Sequence, residues 1–162
     1  MSAAGREPFT ILKELRAAAD TRAAAVVARY PEWQCREGCS HCCLSLARRP
    51  ELSEVEWREV EAGLALLPAA VRAEVEARPV LSALGSAPYT CSFLDPAVGS
   101  CLIYAHRPIA CRAYGCCVDE RGTGLNCGII RERVEAGEFS ETVWGNHSAL
   151  RQRLEELGPL GP

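Results

Sequence analysis

Four cysteines fall within nine residues in the run Cys35-Arg-Glu-Gly-Cys39-Ser-His-Cys42-Cys43. A thiolate is a soft ligand suited to zinc, iron and iron–sulfur clusters. Gaps of about two to four residues let neighbouring sulfurs face one metal, as zinc and iron–sulfur sites commonly do. Gly38 suits a tight turn of positive φ just before the second cysteine. Six more cysteines lie between Cys91 and Cys127, and none precedes Cys35. Buried, inert cysteines behave as small hydrophobes, but a loop that also carries Arg36, Glu37 and His41 is poor core material. The chemistry indicated is metal binding. Successive side chains tend to diverge, so Cys42 and Cys43, and again Cys116 and Cys117, are expected to serve different sites or to pack. Ten cysteines then allow two four-thiolate sites with two left over, their partners unassigned.

The compartment supports this reading. Arg6, Glu7, Lys13, Glu14, Arg16 and Asp20 interrupt every apolar run that a signal peptide would need. A cytoplasmic, reducing location is therefore expected, where metal or thiol chemistry is the default for many cysteines and structural disulfides are rare. The run from Leu64 to Val71 is far shorter than the roughly 20 apolar residues that span a bilayer. A net charge of −3, without interleaved basic and aromatic residues, disfavours a zinc-ribbon nucleic-acid binder. No phosphate-binding glycine loop, His-Glu-x-x-His or nucleophile-elbow serine is present.

Two wider patterns bear on the cysteines. The spacing Cys35-x3-Cys39-x2-Cys42 is similar to that of radical S-adenosylmethionine enzymes, but His41 stands where they usually carry an aromatic residue, and this chain lacks their length and strand pattern. An iron–sulfur cluster stays open; the radical enzyme is set aside. The second pattern is more specific. Cys91-Ser-Phe-Leu-Asp, then Gly99-Ser-Cys101-Leu-Ile-Tyr104-Ala-His-Arg107-Pro108-Ile-Ala-Cys111-Arg112, taken with the first cluster, resembles the CxxCxxCC cysteine-cluster family, the YkgJ-like group of zinc- or iron-chelating domains.

The resemblance runs from about Cys35 to Cys127 and implies eight metal ligands: Cys35, Cys39, Cys42, Cys43, Cys91, Cys101, Cys111 and Cys127. Cys116 and Cys117 are additions to the pattern, as is the helical insert between the clusters. The implied cofactor is zinc or iron, the latter as an ion or an iron–sulfur cluster. A protein partner is compatible with this. Related domains also occur in a flagellin lysine-methylating enzyme, so an iron–sulfur enzyme or accessory subunit is the alternative function.

The elements that must position these thiols read as helices. Ile11, Leu12, Leu15, Ala18, Ala19 and Val26 recur at helical spacing between Thr10 and Tyr30, and Pro31 stops the pattern. Ser53 with Glu56 forms a capping box for a helix carrying Val55, Val60 and Leu64 toward Pro68. A further helix follows through Val71 and Val75 to about Arg78. Pro, Gly and Cys break the stretch from Pro88 to Gly124 into strand fragments or irregular loops, with Pro108 starting a short helix that presents Cys111. Helices are expected again over Asn126–Ala136, before Gly137, and over Ser140–Leu157, capped by Ser140 and ended by Gly158.

The expected fold is mainly α, with helices packed around an irregular cysteine-rich metal-binding centre and at most short strands. One domain is expected over residues 1–162: an N-terminal helix to 30, a cysteine-cluster core over 31–130 with its helical insert at 51–85, and a C-terminal helical segment over 131–162. The helices are rich in alanine, which buries little apolar area, so metal–thiolate bonds are expected to supply cohesion. Arg36, Arg107 and Arg112 are the candidates to face the negative thiolates. His41 and His147 are weaker ligand candidates. Phe93, Tyr104 and Trp144 are expected to pack, and the glutamates of 54–61 and 74–76 to face solvent.

Overall fold

Pro8 opens helix α1, where its missing N–H and fixed φ cost nothing. The helix runs over Pro8–Arg29 and stops before Pro31. Its buried face is Ile11, Leu12, Leu15, Ala19 and Val26, close to the stripe expected from spacing. The computed structural model describes residues 7–47, 49–78 and 87–161. Part of the expected insert, 79–85, and the first residues of the expected N-terminal helix segment lie outside them.

The remaining helices are α2 (His41–Leu44), α3 (Glu54–Ala65), α4 (Ala69–Glu76), α5 (Ile109–Ala113), α6 (Gly128–Glu135) and α7 (His147–Glu155). Strands among the described residues are two-residue pieces. Antiparallel pairs join β1 (Leu52–Ser53) to β6 (Leu160–Gly161) and β2 (Leu94–Asp95) to β3 (Ser100–Cys101). A parallel pair joins β4 (Cys117–Val118) to β5 (Gly145–Asn146). The mainly α expectation holds.

Helix α1 spans two apolar clusters. Its first half packs Ile11, Leu12 and Leu15 against Ile109 of α5 and Leu154 of α7. Its end places Val26 in a second cluster with Trp33, Ala113, Cys116, Cys117, Ile130 and Phe139. The Phe139 ring meets those of Tyr30 and Trp33 edge-on at 5.0 and 4.7 Å, a favoured aromatic geometry. A third cluster joins Leu52, Val60 and Ile103. The thiol centre lies where these clusters leave loops rather than helices.

Several local signals act as expected. The Ser53–Glu56 capping box is complete, with both reciprocal bonds present. After α6, Gly137 adopts φ +85 and Glu138 N–H donates to Arg133 O at 3.0 Å, so the helix ends in a Schellman turn. Gly158 also has positive φ past α7. The start of α7 differs. It begins at His147, where the Asn146 side chain accepts from Ala149 N–H at 3.0 Å. Residues 140–144 turn instead, because Trp144 packs beside Trp33 and Gly145 continues into β5.

Glu54, Glu61, Glu74 and Glu76 face solvent as expected, but two glutamates of α3 are a correction. Glu56 and Glu59 are buried, not solvated. Glu56 caps its own helix and also accepts from Ile109 N–H at 3.0 Å, serving the start of α5. Glu59 receives Arg16 of α1 and His106 Nδ1, the latter at 2.8 Å. Glu56 thus secures the helix that carries Cys111. Glu56→Ala strands the buried N–H groups of Ser53 and Ile109, and should cost about 2–4 kcal/mol in urea unfolding. Glu56→Gln, which keeps an acceptor oxygen, should retain much of that stability.

Candidate metal centre

The eight expected ligands come from separate pieces of chain. Cys35 and Cys39 lie in the loop after α1, and Cys42 and Cys43 lie in α2. Cys91 precedes the β2–β3 hairpin, Cys101 lies in β3, Cys111 in α5, and Cys127 is the N-cap residue of α6. Backbone contacts bring these pieces together. Cys91 N–H donates to Cys43 O at 2.7 Å, and Leu46 pairs with Tyr89 as an isolated antiparallel bridge. At the hairpin turn, a Cβ added to Gly99 would come 3.6 Å from Ser40 Oγ. Gly38 has the expected φ of +88, and Cys39 N–H closes a turn onto Arg36 O at 3.0 Å.

Cys42 and Cys43 do not diverge. Their sulfurs lie 4.0 Å apart in a hydrogen bond, close to the ~3.8 Å that two thiolates keep on one tetrahedral zinc with bonds of ~2.3 Å. Cys43 lies beside Cys91 as well, its single S–H serves one of these two neighbours at a time, and its thiol is pushed far up. The bond from Cys43 holds Cys42 down at about 6 and Cys91 down at about 7.

The other thiols are ordered around Cys42. Burial first, then the charges of Cys39, Cys42 and Cys127, pushes Cys35 up to about 12. Burial, then Cys91, Cys42 and Cys101, does the same for Cys111. Cys101 is raised by burial and also lies in the field of Cys91 and Cys42. Among the described residues, no three Cys, His, Asp or Glu side chains close around one point. The sulfurs of Cys42 and Cys43 bond to each other.

Of the three arginines, Arg107 faces the thiols: its charge lowers Cys35, Cys42, Cys101 and Cys111. Its guanidinium stacks 3.5 Å above the Tyr104 ring centre, and Nε donates to Tyr104 O at 3.0 Å. Arg112 differs from the expectation. It is buried, holds both carboxylate oxygens of Asp20 at 2.7 and 2.6 Å, and donates to Arg107 O at 2.8 Å and to Ala105 O. Its work is to clamp the turn that presents Arg107. Arg36 reaches Pro31 O at 3.3 Å.

Arg78 escaped the sequence reading. It donates to Ser92 O and, at 2.8 Å, to Leu94 O, and its charge helps lower Cys91. A basic residue just past α4 was its only sequence signal.

The histidines stand apart. His41 is exposed at the start of α2, His106 is bound to Glu59, and burial lowers His147 among Arg151 and Asp119 rather than cysteines. Phe93 packs against the Leu52 cluster and Trp144 against the Trp33 cluster. Cys116 and Cys117 are buried in that same cluster, and Cys116 Sγ donates to Ala113 O at 3.4 Å and reaches Arg112 O at 3.6 Å.

Clustered sulfur donors suit a soft metal, and Arg107 and Arg78 are the cations beside them: Arg107 lowers Cys35, Cys42, Cys101 and Cys111, and Arg78 lowers Cys91. Helices around loops that gather thiols define a cysteine-cluster protein of the chelating kind. A family model described as "CxxCxxCC: Putative zinc- or iron-chelating domain" matches residues 34–128, and the chain belongs to this family. No curated protein and no solved structure gives a significant match.

Gly115 sets the position of Cys35. It has φ +89, and a Cβ there would lie 2.3 Å from Cys35 Sγ, which itself donates to Tyr114 O at 3.3 Å. Gly115→Ala should displace Cys35 and weaken metal binding by about 10–100-fold in competition against a chromophoric chelator. Gly122, at φ +77 with nothing within 4 Å of an added Cβ, is the control. Gly122→Ala should cost stability of about 1–2 kcal/mol and leave metal affinity unchanged.

Proposed function

We propose that this protein chelates zinc or iron as its cargo through Cys35, Cys39, Cys42, Cys43, Cys91, Cys101, Cys111 and Cys127, within one domain. What supports this reading is that contacts such as Cys91 N–H to Cys43 O and Cys35 against Gly115 join separate cysteine-bearing segments, while Cys116 and Cys117 pack into the apolar core. The family match over 34–128 supports it. Eight thiols have the ligand number for two four-thiolate sites. A reducing compartment such as the cytoplasm keeps these thiols available.

Binding draws protons from the thiols. Burial keeps Cys35 and Cys111 protonated at neutral pH, so a thiophilic cation must displace their protons as it is bound. Arg107 offsets part of the negative charge that results. The same donor set accepts an iron–sulfur cluster, and the enzyme or accessory reading belongs to that outcome.

Anaerobic purification with metal and acid-labile sulfide analysis tests the proposal. Stoichiometric zinc or iron is expected, lost on replacing Cys42 and Cys111 together by serine. Colourless protein without sulfide identifies thiolate-bound metal, and brown protein with sulfide identifies a cluster. Protein that neither retains nor takes up either metal overturns the proposal.

A further inference from the structure

Two cysteine-bearing segments run side by side where the first cluster meets the second. Leu46 and Tyr89 exchange both backbone bonds, at 2.9 and 2.8 Å, and Cys91 N–H donates to Cys43 O at 2.7 Å. With standard bond lengths, that last bond keeps the two Cα atoms within about 6.6 Å of each other. A disulfide spans Cα separations of about 4.4–6.8 Å, so Cys43 and Cys91 can be linked with the backbone left in place. The Cys43 thiol already lies beside that of Cys91. Cys42 Sγ is also near, 4.0 Å from Cys43 Sγ. Consecutive Cα atoms, however, are only about 3.8 Å apart, below the span of an unstrained disulfide. Of the two neighbours of Cys43, Cys91 is the one it can bond to covalently.

Cys91 also has the surroundings of a reactive thiol. It is half-buried, whereas Cys116 and Cys117 are sealed in the core. Arg78 holds its loop, donating to Ser92 O and, at 2.8 Å, to Leu94 O. Thiols that respond to oxidants lie in such partly exposed, electropositive surroundings, with a second thiol in reach to resolve the oxidised sulfur. We infer that Cys91 and Cys43 form a peroxide-responsive dithiol, Cys91 reacting first and Cys43 closing the disulfide. The Cys91 sulfur attacks one oxygen of hydrogen peroxide, the O–O bond breaks, and Cys91 is left as a sulfenic acid. The departing hydroxide leaves as water with the Cys91 thiol proton. The Cys43 sulfur then attacks the Cys91 sulfur, the S–O bond breaks, and a second water leaves with the Cys43 proton. The two thiols lose two electrons and the peroxide gains them. The link removes two of the eight proposed ligands, so oxidation lowers chelating capacity. That consequence rests on the chelation reading, and the disulfide does not.

The test uses the full chain, reduced and freed of metal, treated with about one equivalent of hydrogen peroxide. Remaining thiols are alkylated under denaturing conditions, and linked peptides are mapped by mass spectrometry. A Cys43–Cys91 link is expected as the main product, reversed by dithiothreitol. In Cys43→Ser, which lacks the resolving thiol, dimedone should trap a sulfenic acid on Cys91. A different pair linked first, or no dimedone adduct on Cys91 in that variant, overturns the dithiol. Oxidised protein should take up at most about half the zinc that reduced protein does, and equal uptake overturns the effect on chelation. Reduced protein that takes up neither zinc nor iron removes the chelation reading and that effect with it, while the mapped link still decides the dithiol.

Discussion

Half-buried thiols placed near one another cannot all ionise unless a cation meets them. Burial and mutual repulsion push Cys35 and Cys111 up to about 12, Arg107 offsets part of this, and Arg78 helps lower Cys91. A buried thiolate without a partner is costly. On the chelation proposed above, the centre has two forms. In one, thiols stay protonated or share hydrogen bonds, as Cys42, Cys43 and Cys91 do. In the other, a soft cation replaces the protons. The loops have few ladder hydrogen bonds of their own, so the second form gives them their strongest tie.

The frame around the centre is built from charged side chains that reach loop backbone. Glu56 of α3 holds Ile109 N–H, Arg78 beyond α4 holds the carbonyls of the Cys91 loop, and Arg16 and Arg112 both hold Ala105 O. Each takes a backbone group that no regular element satisfies. Through these bonds α1, α3, α4 and α5 fix the turn that carries Arg107 and the segments that carry Cys91 and Cys111. Apolar burial is divided among three clusters, and none of them alone closes over the cysteines.

Local signals were legible in the sequence because their causes are local. Pro8 and Pro31 bound α1, the Ser53–Glu56 pair starts α3, Gly137 ends α6, and Gly38 turns the first cysteine loop. The cysteine spacings pointed to the family, and the family model covers 34–128. What escaped depended on distant partners. Glu59 looks like one more solvated glutamate until Arg16 and His106 are brought beside it. Arg112 was expected to face thiolates but turns to Asp20 of α1. Ser140 is a competent cap, yet Trp144 has to reach the Trp33 cluster, so the helix starts later, at Asn146. Divergence of neighbouring side chains was a sound local expectation for Cys42 and Cys43. Their 4.0 Å contact arises in α2, against Cys91 from another segment.

The central claim is that metal bound by these cysteines holds the loop centre together. Thermal unfolding of metal-loaded and metal-stripped protein, followed by circular dichroism under reducing conditions, tests it most directly. A structural zinc contributes about 10–16 kcal/mol of apparent binding energy in small domains. Even a part of this predicts that stripping lowers Tm by more than about 10 °C and that restoring the metal recovers it. Identical spectra and an identical Tm in the two forms would contradict the account.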